Sequence, residues 1–117
     1  LAAIRLGPKG LLRWYAGCCG TPIANTLPTS TLPFVGAILP PGADGYGPIK
    51  ALVNTVGTAS HIKETGVLAA HLSIVRGILR ARLSGGKRTS PFFDTSGTSI
   101  VVPRVLNRHE RNAARPG

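Results

Sequence analysis

The sequence predicts a mainly β chain with one long C-terminal amphipathic helix, an α+β fold. Three observations predict it. In the first half, short apolar or alternating runs are cut by Gly- and Pro-rich turns. One stretch only, Thr65–Ser84, repeats its apolar residues at helical spacing. The chain has 117 residues, enough for one domain and too few for two ordinary ones. Hydrophobic residues make up 43%, which suits a packed core, while 15 Gly and 10 Pro place much of the chain in turns.

Leu1–Leu6 and Leu11–Tyr15 read as two short strands joined by the turn Gly7-Pro8-Lys9-Gly10. Ala16-Gly17-Cys18-Cys19-Gly20-Thr21-Pro22 follows as a tight knuckle, and Ile23–Thr26 is the return strand. Pro33–Leu39 suits a buried strand with its Pro at the edge or start. After the turn-rich segment Pro40–Pro48, Ile49–Val56 reads as a further strand with Ile49, Ala51, Val53 and Thr55 on one face.

The helix is expected over Thr65–Ser84, with Thr65 as N-cap and Gly85-Gly86 ending it. Leu68, Leu72, Val75, Leu79 and Leu83 recur at spacings of four, three, four and four, which makes one apolar stripe. Packing of that stripe on the domain's own sheet is expected ahead of docking on a membrane surface. Ser90-Pro91-Phe92-Phe93-Asp94 forms an aromatic anchor, and Ile100–Val102 an edge strand. Arg104, Arg108, Arg111 and Arg115 would share one face of a helix, but a solvated or disordered terminus is the expectation. The organisation is thus one domain over residues 1–102, with strands in 1–56, the helix at 65–84, the anchor at 90–94 and a basic tail at 103–117.

Charge and cysteine content narrow the partners. Net charge is +10, divided as +3 over residues 1–59 and +7 over residues 60–117. The second half therefore pulls harder on anionic lipid or nucleic acid, with Arg76, Arg80, Lys87 and Arg88 as the candidate polyanion contacts. No apolar run approaches the roughly 18 residues of a membrane-spanning helix, so a soluble domain is expected. The two cysteines are adjacent. Their Cα atoms lie about 3.8 Å apart across a trans peptide, whereas ordinary disulfides need roughly 4.4–6.8 Å. A reduced pair in a cytoplasmic protein is the expectation. The chain begins at Leu1 and contains no Met, from which a missing N-terminal portion is expected.

Cys18 and Cys19 are the candidate metal ligands. A thiolate at a Gly-containing turn can be steadied by backbone N–H groups, and zinc takes four ligands in a closed structural site. His61, His71 and His109 have no ligand spacing to the knuckle. The carboxylates Asp44, Glu64, Asp94 and Glu110 are spread without a pair for acid–base work. No serine sits in a nucleophile elbow, and Gly85-Gly86-Lys87-Arg88-Thr89 lacks the spacing of a phosphate loop. No catalytic residue and no organic cofactor site can be named.

Arg13-Trp14-Tyr15-Ala16-Gly17-Cys18-Cys19-Gly20-Thr21-Pro22-Ile23 resembles the C-terminal cysteine knuckle of the glutathione-dependent formaldehyde-activating enzymes. The run from Leu6-Gly7-Pro8-Lys9-Gly10 through Ser90-Pro91-Phe92-Phe93-Asp94 to Pro103-Arg104-Val105-Leu106 is similar to an uncharacterised bacterial branch of that superfamily. The resemblance implies a β-tent-like sheet, incomplete here at its N-terminus, and a structural zinc held by four cysteines from two knuckles. It also implies a second, catalytic-type zinc on a further upstream cluster. Cys19 matches the last cysteine of the final knuckle, and the family's partner cysteine falls three residues earlier, at Ala16. The family's carbon–sulfur lyase chemistry needs residues this chain does not carry, and this chain alone is expected to hold zinc weakly or not at all.

Overall fold

The computed structural model describes residues 1–55, 62–84 and 90–114. Among these residues there are five strands and two helices, which bears out the α+β class. The strands are β1 (Ala2–Arg5), β2 (Leu12–Tyr15), β3 (Pro22–Thr26), β4 (Val35–Ala37) and β5 (Arg104–Val105). The helices are α1 (Val67–Leu83) and α2 (Arg108–Ala113). The strands form one sheet in the order β4-β3-β2-β1-β5, antiparallel except for the parallel pair β1–β5. By its contacts the chain divides into two units, Leu1–Pro40 with Lys87–Gly117, and Pro41–Gly86.

The core of the first unit follows from strand alternation. Leu12 and Trp14 are buried while Arg13 between them is exposed, and Ala24 and Thr26 repeat the pattern on β3. Register sets Ala3, Trp14 and Ala24 side by side across three strands, so an indole lies between two methyl groups. The small neighbours leave room for the large ring, the complementary filling that a dense core requires. Phe92 and Phe93 cover it, with ring centroids 4.9 and 6.4 Å from that of Trp14. The indole N–H donates to Thr26 Oγ1 at 2.9 Å, which pairs the buried Trp14 N–H with the buried Thr26 hydroxyl.

Several expectations are corrected. The strand expected at Pro33–Leu39 is shorter and lies at the sheet edge, where Val35, Ile38 and Leu39 are exposed and only β3 pairs with it. Residues 49–55 form no strand; Leu52 makes a single antiparallel bridge with Thr65, and Val56 lies outside the described residues. That bridge removes Thr65 from the N-cap. Gly66 takes the position with φ 65°, and a Cβ there would meet the Lys50 carbonyl at 2.7 Å. Ser84 is the C-cap, and the expected terminator Gly85-Gly86 lies outside the described residues.

The helix itself is 17 residues long, and none of them is buried. The predicted stripe is its open side, Leu68, Leu72, Val75, Leu79 and Leu83 all being exposed. Val67, Ala70, Ile78 and Ala81 are half-buried instead. The reason is local: Val67, Ala70, His71 and Ile74 line a cleft with Val53, Asn54 and Glu64, so the helix turns this side to its own unit's connecting segment.

The C-terminal segment also departs from the expected solvated tail. The edge strand is Arg104–Val105, parallel to β1, in place of Ile100–Val102. Leu106 is buried, and its N–H donates to the Arg5 carbonyl at 2.9 Å. Asn107 and Glu110 then cap α2 reciprocally, each side chain accepting from the other's backbone N–H at 2.9 Å. Glu110 also pairs with Arg104. The Arg111 guanidinium donates to the Leu6 carbonyl at 2.9 Å, tying α2 to the end of β1.

Candidate metal centre

The knuckle is the loop of the β2–β3 hairpin. Its root is fixed by Trp14 in the core and by a register shift between Trp14 and Tyr15 that sets Tyr15 opposite Pro22. Ala16 closes the loop. Its N–H donates to the Thr21 carbonyl at 2.9 Å, and its own carbonyl accepts from Cys19 N–H at 3.3 Å and Gly20 N–H at 2.8 Å. Gly20 adopts φ 73°, the left-handed conformation that brings the chain back toward β3.

This turn places the two predicted ligands together at an exposed tip. Cys18 and Cys19 are both free thiols, with their sulfurs 3.7 Å apart. Cys19 Sγ also lies 3.1 Å from Thr21 Oγ1. The Thr21 hydroxyl, then the Thr21 backbone N–H and the Cys18 thiol, hold the Cys19 thiol below its ordinary range, because each bond favours the thiolate. Thr21 was not among the expected site residues. The signal for it is a hydroxyl two positions after a cysteine in a tight turn, close enough to reach back to the sulfur.

The remaining candidates do other work. His71 on α1 is bonded through Nδ1 to the Val67 carbonyl at 2.8 Å. His109 lies on α2, and His61 is outside the described residues. Glu110 caps α2, and Glu64 accepts from the Thr55 N–H at 3.2 Å. Asp94 organises the turn after the aromatic anchor, accepting from Ser96 Oγ at 2.6 Å and from the Ser96 and Thr98 N–H groups at 2.9 and 3.0 Å. Among the described residues no group of three or more His, Cys, Asp or Glu gathers around a point where a metal would sit. Arg76 and Arg80 are exposed on α1, while Lys87 and Arg88 are outside the described residues.

A zinc-sized test can be applied to the thiol pair. Tetrahedral coordination with Zn–S bonds of about 2.3 Å requires an S···S edge of about 3.8 Å. The observed 3.7 Å satisfies that edge without rearrangement. The separation is also that of an ordinary thiol–thiol contact, so it is compatible with two thiolate ligands at this turn and does not by itself select zinc.

Comparison with known families gives a match to a family of unknown function (DUF6151), over residues 1–40. The matched segment contains β1–β4 and the whole cysteine knuckle. No curated protein and no solved structure matches the chain.

Proposed function

We propose that the Cys18–Cys19 knuckle is one half of a structural zinc site, in a protein of the formaldehyde-activating superfamily with a β-tent-like sheet. The observation that carries this reading is the 3.7 Å separation of two exposed thiols, matched to one edge of a thiolate tetrahedron. Thr21 supports it by favouring the charged form of Cys19, since the thiolate is the species that binds metal. Free thiols and a metal role fit a reducing, cytoplasmic setting. The resemblance implies that the other two ligands come from a second knuckle, which the two cysteines of this chain do not supply. The role is one of metal binding, and no step of carbon–sulfur chemistry is assigned to this chain.

Ala16 gives the reading a direct test. Its carbonyl already organises the turn, and its side chain stands where the superfamily pattern has a cysteine. Zinc affinity is measured by competition with a chromophoric chelator. The wild-type chain binds weakly, Cys19→Ser abolishes that binding, and Ala16→Cys tightens it by at least about tenfold, because it restores the Cys-x-x-Cys spacing to Cys19. Zinc affinity unchanged by both substitutions would overturn the assignment.

A further inference from the structure

We propose that α1 lies in the plane of an anionic lipid bilayer, with its open apolar stripe in the acyl boundary and its arginines at the headgroups. The stripe is 51% to 86% exposed along its whole length, from Leu68 to Leu83. Single exposed leucines are ordinary on protein surfaces, but five on one face of one helix form a contiguous patch. At about 100° per residue, Arg76 and Arg80 border that stripe on one side, and Arg82 with His71 on the other. No Asp or Glu occurs between Val67 and Leu83, so three cations stand without a counter-charge on the helix itself.

An apolar face bordered by arginines is the arrangement of a helix that rests at a membrane interface. The arginine stems cover apolar surface while their heads reach the phosphates. Among the described residues no helix is long and apolar enough to cross a membrane, which makes an in-plane position the suitable one. Nucleic acid would use the same arginines, but it offers nothing to five exposed apolar side chains. The stripe therefore decides for lipid.

Co-sedimentation of the full chain with phosphatidylcholine vesicles, with and without phosphatidylglycerol, tests the proposal. Binding is expected to the anionic vesicles and to be weak on phosphatidylcholine alone. Replacing Arg76, Arg80 and Arg82 together by Gln should weaken binding on the order of a hundredfold. Leu72→Ser with Leu79→Ser should weaken it at least about tenfold. Because both leucines are exposed, helical circular dichroism should survive in the double variant. Equal binding to both vesicle types, no binding to either, or indifference to the arginine or leucine substitutions would overturn the proposal. So would duplex DNA binding that matches vesicle binding and survives loss of the leucines.

Discussion

The β2–β3 hairpin and α1 are built from similarly apolar sequence, yet they hold together by different means. In the hairpin, Leu12, Trp14, Ala24 and Thr26 are all buried, and the indole N–H has its partner. In α1 no residue is buried. Burial of large side chains is the main favourable contribution to folding, while an isolated helix of this length is marginal in water. The difference teaches that local pattern decides which element forms, whereas facing surfaces decide which element is stable. The thiol site thus lies on the hairpin whose strands supply buried core residues, and the proposed lipid contact on the helix that buries no residue.

Substitutions can break or sharpen this contrast. The largest effect should come from Trp14→Ala, which empties the space between Ala3 and Ala24 and leaves Thr26 without its partner. A loss of about 3–5 kcal/mol is expected in denaturant unfolding; a loss below about 1 kcal/mol would mean the hairpin core is not the stabilising region. Next is Asn107→Ala, which removes the cap of α2 and should cost about 1 kcal/mol. The same cap has a pH signature. The Asn107 backbone N–H and then Arg104 hold the Glu110 carboxyl below its ordinary 4.5. A depressed carboxyl contributes stability that is complete above 4.5 and is lost as pH falls through the lowered folded value. Carboxyl chemical shifts of Glu110 followed from pH 6 downward should show a midpoint below that ordinary 4.5. The smallest effect is expected from Leu72→Ala in α1, within about 0.5 kcal/mol of wild type because the side chain is exposed. A cost like that of a core leucine, about 2–5 kcal/mol, would erase the contrast between the two regions.

What could be read from the sequence follows the same division. Alternation in Leu12–Tyr15 and the turn residues Gly7–Gly10 gave β1, β2 and β3, because strand period and turn chemistry are local properties. The aromatic anchor was also legible, since two adjacent Phe after a Pro form a large apolar pair that burial against the core favours. The helix was legible as a helix but its facing was not. Leu68, Leu72, Val75, Leu79 and Leu83 form the stronger stripe, and the segment on the opposite side, around Val53 and Asn54, forms no strand although its alternation reads as one. Thr65 looked like a cap until its bridge to Leu52 engaged it, a non-local pairing that composition does not reveal. The Asn107…Glu110 capping box is a local signature in the sequence that the expectation of a solvated tail does not include.

At the thiol site, the sequence identified Cys18 and Cys19 but left their geometry open. A side-by-side pair has several rotamer combinations, and only the closed Ala16–Gly20 turn sets the sulfurs 3.7 Å apart. Thr21 entered through the fold of the loop, although its position two residues after Cys19 was in view.

The central claim, that this pair is a metal half-site, is tested most directly by cobalt(II) titration of the reduced chain, followed in the thiolate-to-metal charge-transfer region. The account predicts a band of two-thiolate intensity that disappears in Cys19→Ser and gains intensity in Ala16→Cys. A spectrum with no charge-transfer band in either the wild-type or the Ala16→Cys chain would contradict it.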